Sequence, residues 1–242
     1  MSRRTLAWLI FSLGTSLVIL FIAAHPADSA RPARNALELG IIESLPVTLK
    51  QPGIYRLAES MNVAKGGIRV ESDDVVVDLS GQRIVGRTDG AGVTIAGARR
   101  NVTVRNGTLV GFGTAAILGA ESVGLRVEDV TVRDGRGDGL VVGAGASVVN
   151  CRVLENRGVG IVAGIGSRLQ AMTILSNGSD GVRVGAGSLI LQTTVIGNGG
   201  IGIVPGDETV LSEVTATGNA VSGIEPADNI RLSAYTGQGQ RK

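Results

Sequence analysis

The amino-acid sequence points to an all-β solenoid: a single-stranded parallel β-helix of about 7–8 coils, with three short strands in each 21–24-residue coil. The first observation behind this is a repeat. Asn156, Asn177, Asn198 and Asn219 stand 21 residues apart, and apolar columns move in step with them. The second is composition. Hydrophobic residues make up 43% of the 242-residue chain, yet aromatics are only 2% and glycines number 37. A globular core draws much of its buried area from aromatic rings, so this one must be filled by Val, Ile, Leu and Ala in many similar thin layers. Glycine without a three-residue period excludes collagen, and a mean hydropathy of +0.28 excludes a disordered chain.

Three apolar columns define the strands. One is Leu140, Ile161, Val182, Ile203 and Ile224; a second is Val148, Leu169, Ile190, Leu211 and Leu232; a third is Val132, Val153, Ile174, Val195 and Ala216. The patches are rich in β-branched residues and separated by glycine-rich turns, which favours strands over the longer helical units of α-solenoids. Thr173, Thr194, Thr215 and Thr236 alternate with Cys151, Met172, Thr193, Val214 and Tyr235, so the first set is expected outside as a threonine ladder and the second inside. Lone Cys151 is then a core filler.

Upstream, Gly90–Gly113 and Thr114–Gly137 give two coils of 24 residues. The asparagine column continues backwards through Gly135 and Gly111. Asn and Gly are the residues that most readily adopt the left-handed conformation, so Gly111, Gly135, Asn156, Asn177, Asn198 and Asn219 are expected to form a structural column of tight turns with positive φ. The stacked amides are placed to bond one another along the axis.

The domain plan follows. Arg3 and Arg4 precede an apolar run from Leu6 to Ala24, and Ala27-Asp28-Ser29-Ala30 is a small-x-small pattern, so residues 1–29 are a signal peptide or an N-terminal membrane anchor. Either places the body outside the cytoplasm: periplasmic, extracellular, or anchored. Residues 30–44 are a linker, 45–89 the N-terminal capping coils, 90–236 the regular repeats and 237–242 a basic tail.

The segments Asp138-Gly-Leu-Val-Val-Gly, Val159-Gly-Ile-Val-Ala-Gly and Asp180-Gly-Val-Arg-Val-Gly, each after an Asn or Gly turn, resemble the repeats of the pectin-lyase-like superfamily. The likeness is to the bacterial right-handed parallel β-helix repeat (PbH1-type) proteins. Leu45-Pro-Val-Thr-Leu-Lys-Gln-Pro-Gly-Ile-Tyr-Arg-Leu and Val75-Val-Val-Asp-Leu-Ser-Gly look like the opening coils of such proteins, so the resemblance covers about residues 45–240. It implies a right-handed helix and a carbohydrate-related setting, while one such fold hosts many activities.

Superfamily enzymes that hydrolyse or epimerise uronates carry a Gly-His-Gly or an Asp-Pro-His-Asp. Here the single histidine is His25, in the export segment. A lyase-like route would need carboxylates around Ca²⁺ and a basic side chain to take a proton. Asp73-Asp74, the only adjacent aspartates, with Asp78 four residues on, are better explained as turn and strand-end residues. No catalytic set is therefore assigned, and no metal site or cofactor; Ca²⁺ enters only under the lyase alternative.

The resemblance places a ligand face on the first strand of each coil. Alternation puts Arg69, Thr94, Ile117, Val141, Val162, Arg183 and Val204 outward there, with Asp138 and Asp180 preceding the strand in two coils. An aliphatic stripe of this kind favours a partner or a covering segment over a groove for acidic sugars. The expected function is an exported, non-catalytic β-helix that binds an envelope or extracellular protein or glycan on this sheet. The alternative is a lyase, hydrolase or epimerase acting on acidic glycans.

A net charge of +2, with lysine only at positions 50, 65 and 242, gives no basic stripe for nucleic acid. Membrane contact is expected only through an uncleaved N-terminal segment. The open last coil, expected to end near Thr236 and followed by Gly-Gln-Gly-Gln-Arg-Lys, raises end-to-end self-association.

Overall fold

The computed structural model describes residues 39–86 and 89–237. The expected export segment, the expected linker up to residue 38 and the tail from residue 238 fall outside the described residues. Among those described there is no helix, and so none long and apolar enough to cross a membrane.

The chain runs through 22 strands. The first eight are β1 (Leu39–Ile42), β2 (Val47–Leu49), β3 (Gly53–Leu57), β4 (Met61–Val63), β5 (Ile68–Val70), β6 (Val75–Asp78), β7 (Arg83–Gly86) and β8 (Val93–Ile95). The next seven are β9 (Val102–Val110), β10 (Ala115–Gly119), β11 (Arg126–Arg133), β12 (Asp138–Val142), β13 (Ser147–Val149), β14 (Arg152–Leu154) and β15 (Ile161–Ala163). The last seven are β16 (Arg168–Gln170), β17 (Thr173–Leu175), β18 (Val182–Val184), β19 (Leu189–Ile196), β20 (Ile203–Val204), β21 (Val210–Thr217) and β22 (Arg231–Gly237).

Every pairing is parallel. One sheet, called sheet B here, stacks β2, β5, β8, β10, β12, β15, β18 and β20 in that order, and Ile224 bridges on below Ile203. This gives about nine turns, one more than the upper bound of the sequence reading, because residues 45–89 already contribute full coils. The remaining fourteen strands form a bent sheet, sheet A. It has two arms, separate in the coil of β13 and β14 and continuous in β9, β11, β19 and β21. The three strand patches per coil are thus present, with two of them fused at a corner.

The apolar columns fill the interior as expected. Leu140, Ile161, Val182 and Ile203 pair in register, as do Val148, Leu169, Ile190 and Leu211, and each is fully buried. Burying each such side chain stabilises by about 1.5–3 kcal/mol. Cys151, Met172, Thr193 and Val214 point inward, at most 2% exposed, and Thr173, Thr194, Thr215 and Thr236 stack outward in register. Leu232 is the exception, 42% exposed, because no described coil lies beneath it.

The corners correct the turn assignment. Asn156, Asn177, Asn198 and Asn219 do not have positive φ, nor does Gly135. The left-handed residues stand one position earlier: Asp134, Glu155, Ser176, Gly197 and Gly218, at φ between 54° and 67°. Gly111 does have positive φ (79°), and the pairing of Val110 with Arg133 puts it in that earlier column. Phe112 holds the matching place in its own coil, its carbonyl accepting from the Arg136 N–H as the Gly135 carbonyl accepts from Arg157. Its buried ring fits because Gly86 and Gly92 offer no Cβ; one there would lie 2.4 and 2.8 Å from ring carbons. The two corners flanking the first arm of sheet A have left-handed columns of their own: Gly124, Gly145, Gly166, Gly187, Glu208 and Asn229, and Asn106, Asp129, Asn150, Ala171, Gln192, Glu213 and Ala234.

Asparagine is required for its side chain. Asn156, Asn177 and Asn198 are each 1% exposed, and their Nδ2 atoms donate down the axis to the Oδ1 of the next asparagine at 2.9, 3.0 and 2.9 Å. The same Oδ1 atoms accept the main-chain N–H of the residue above. Gly135 joins as donor only, its N–H reaching Asn156 Oδ1 at 3.0 Å. The amides therefore satisfy buried main-chain donors that the turn would otherwise orphan.

Two boundaries also shift. Leu39–Ile42, within the expected linker, is β1, paired with β3, and Gly237 belongs to β22 rather than to the tail. Coil lengths vary more than two 24-residue units: Ile68 pairs with Val93, 25 residues on, Val93 with Ile117, 24 on, and Ile117 with Leu140, 23 on.

Candidate functional site

The candidate ligand face is the outer surface of sheet B. Register aligns Thr48, Arg69, Thr94, Leu118, Val141, Val162, Arg183 and Val204 in one line along the axis. Arg69, Thr94, Val141, Val162, Arg183 and Val204 thus stand together as the alternation requires. Ile117 does not: it is fully buried, and Leu118 takes the outward place. The change from a 24- to a 23-residue coil moves the pattern by one residue, and a one-residue slip exchanges the faces of a strand. Thr48 extends the line by one coil. The irregular upstream spacing hid both residues from a period-based reading.

Both arginines of the line are held by carboxylates on their own coil. Arg69 Nε donates to Glu71 Oε1 at 2.7 Å, and this bond, chiefly, lowers the Glu71 carboxyl below its ordinary value against the opposing effect of burial. Arg183 Nε donates to Asp180 Oδ2 at 2.6 Å. Both guanidinium groups remain about half exposed, so they keep further donors free for a ligand. From Arg69 to Arg183 are five coil steps, roughly 24 Å at the usual strand spacing.

Asp138 and Asp180 open their strands for a structural reason. Asp138 Oδ1 accepts the Val159 N–H of the next coil at 2.8 Å, and Asp180 Oδ1 accepts that of Ile201 at 2.7 Å. Glycine opposite makes this reach possible: a Cβ on Gly200 would fall 2.1 Å from Asp180 Oδ1. Asp180 is only 7% exposed, so it is a buried tether.

The acids weighed for metal-dependent chemistry are bound in the same manner. Asp73 Oδ1 accepts the Arg100 N–H (3.1 Å) and Asp74 Oδ1 accepts Asn101 Nδ2 (2.6 Å). Asp78, 6% exposed, takes the Ser80 N–H at 2.9 Å and Arg105 at 3.0 Å. Burial works to raise its carboxyl, but the Ser80 amide, Asn106 and Arg105 outweigh it and hold the group below its ordinary value. Among the described residues no three His, Cys, Asp or Glu side chains converge to hold a metal ion. Cys151 is fully buried, and burial pushes its thiol up to about 12. It stays protonated at neutral pH and does not act as a nucleophile. Three Asn-x-Ser/Thr sequons occur, Asn101-Val-Thr, Asn106-Gly-Thr and Asn177-Gly-Ser, and Asn177 is closed to modification by its burial in the ladder.

Parallel strands stacked coil on coil around a continuous apolar interior define a β-helix. The chain belongs to the right-handed β-helix family, whose "Right handed beta helix region" matches residues 91–234. It is similar in structure to the A-module of the Azotobacter vinelandii mannuronan C-5 epimerase AlgE4, with a TM-score of 0.59 and 15% identity. That match covers 76% of this chain and 58% of the module. It is similar also to the Dettilon tailspike protein, with a TM-score of 0.55 and 12% identity over 75% of this chain and 43% of the tailspike. The chain thus spans under two thirds of either structure, and at these identities the likeness is one of fold. No curated protein matches the sequence.

Proposed function

We propose that the protein is an exported, non-catalytic β-helix whose sheet B face binds an extended envelope or extracellular ligand, a glycan foremost. The observation that carries this reading is the engagement of the carboxylates. Asp138 at the start of β12 and Asp180 just before β18, with Asp73, Asp74 and Asp78 on the upstream coils, all bind donors of the protein itself. A general acid or base needs a carboxylate turned toward substrate. The face instead offers two half-exposed guanidinium groups with Thr94, Leu118, Val141 and Val162 between them. Guanidinium groups recognise carboxylate or sulfate substituents in a bidentate manner, and the aliphatic stretch suits the C–H faces of sugar rings. The likeness in fold to an enzyme named for mannuronan, a glycan, supports a glycan over a protein as the ligand class, and the apolar run from Leu6 to Ala24 supports export.

The test is titration calorimetry of the chain with pectate, alginate and neutral oligosaccharides, alongside assays for unsaturated or reducing ends with and without Ca²⁺. Binding of a glycan that weakens in Arg69→Ala and Arg183→Ala, with no product formed, supports the proposal. Product that disappears in Asp73→Ala or Arg183→Ala overturns it in favour of the lyase, hydrolase or epimerase reading.

A further inference from the structure

The two ends of the β-helix differ. At the N-terminal end the core positions Ile42, Leu49, Leu57 and Val63 are 2–6% exposed. At the other end no described strand lies beyond β22: Leu232 is 42% exposed although Leu211, the residue above it in its column, is at 0%. Tyr235 is half-buried below fully buried Val214. Among the described residues the main chain of β22 pairs on one side only, with β21. Asn150 and Ala171, in the corner column within sheet A, donate their N–H groups to Gln170 and Leu191 carbonyls of the next coil at 3.0 and 3.1 Å. Ala234 occupies that column in the last described coil, where no described strand follows.

The described rim of this end is predominantly acidic. Among the described residues from Pro205 to Gly237 there are five acids, Asp207, Glu208, Glu213, Glu225 and Asp228, all exposed, against the single base Arg231. An open strand edge recruits another strand through main-chain hydrogen bonds, and side chains select which one. Two such acidic ends repel each other, which disfavours a tail-to-tail pair of copies of this chain.

We propose that the β22 end is a docking edge for an extended cationic segment of a partner protein, which adds a further rung. Its apolar residues cover Leu232 and Tyr235, and its lysines or arginines meet the acidic rim. This site is separate from the sheet B face and stands or falls independently of it.

The probes are two labelled peptides of about ten residues, one alternating valine with lysine and one alternating valine with glutamate, titrated by fluorescence anisotropy into the full chain. The expected result is binding of the lysine peptide alone, weakened by about tenfold or more in high salt and in the exposed double variant Glu213→Lys/Asp228→Lys. Hydrogen exchange should slow at residues 231–237 on binding. The variant keeps every buried residue, and its unchanged melting temperature separates loss of binding from loss of fold. Equal binding of both peptides, or of neither, overturns the proposal. So does a concentration-dependent doubling of mass by light scattering, which would make a second copy the occupant.

Discussion

The amide oxygen of Asn198 accepts two hydrogen bonds from Asn177, one from its main-chain N–H at 2.9 Å and one from Nδ2 at 3.0 Å. Asn177 Oδ1 does the same for Asn156, and Asn177 Nδ2 also reaches the Val153 carbonyl at 3.1 Å. Removing the Asn177 side chain therefore strands two buried donors of Asn156 as well as an acceptor. Asn177→Gly is expected to destabilise by about 3 kcal/mol or more. A turn needing only positive φ would accept glycine without loss, so chemical denaturation of this variant separates the two accounts.

The left-handed corner at Ala171 makes the opposite prediction. Its φ is 55° and its side chain is exposed. A left-handed residue with a Cβ carries roughly 1–2 kcal/mol of strain, which glycine relieves at some entropic cost. Ala171→Gly is expected to stabilise by about 0.5–1 kcal/mol, and Ala171→Val to destabilise by at least as much. Both are read from melting temperatures.

Asp180 and Arg183 are ion-paired but unequal. Asp180 also holds the Ile201 N–H and is buried, whereas Arg183 is half exposed. Asp180→Ala is expected to cost about 1–3 kcal/mol. Arg183→Ala is expected to change stability by less than about 0.5 kcal/mol. Its effect belongs in ligand binding.

Asp78 supplies an acid-sensitive contribution. Its folded-state carboxyl lies below the ordinary value of 3.8. Its stabilisation is therefore complete above that value and is lost as pH falls through the lowered one. Asp78→Asn should lower stability at neutral pH and flatten the decline below pH about 4, compared with the native chain. An unchanged acid limb in urea unfolding curves would remove Asp78 from that role.

The part of the fold with a strict period was legible in the sequence. Where coils are 21 residues long, the columns through Leu140, Val148 and Val132 and the threonine ladder are as spacing places them. Upstream, loops of changing length shift the register, so Ile117 and Leu118 exchange places and Gly111 moves to a neighbouring column. The asparagine column was located correctly, but residue type alone suits both a left-handed turn and an amide ladder. Only the geometry of the preceding residue distinguishes them. In the candidate site, the line of outward residues followed from alternation. The binding of Asp138 and Asp180 to main-chain N–H groups of the next coil did not, since it depends on glycine at 158 and 200 leaving room.

Because Asn156 bonds Asn177 in the same way that Asn177 bonds Asn198, the ladder joins like to like at a constant separation of 21 residues. Excision of Arg157–Asn177 would bring Asn156 onto Asn198 with every inward and outward position preserved. It would shorten the rod by one strand spacing, about 4.8 Å. The stack is thus adjustable in whole-coil increments with one change at the new seam: Ser179 would stand in the place of Gly158 and must become glycine for Asp138 to keep its reach.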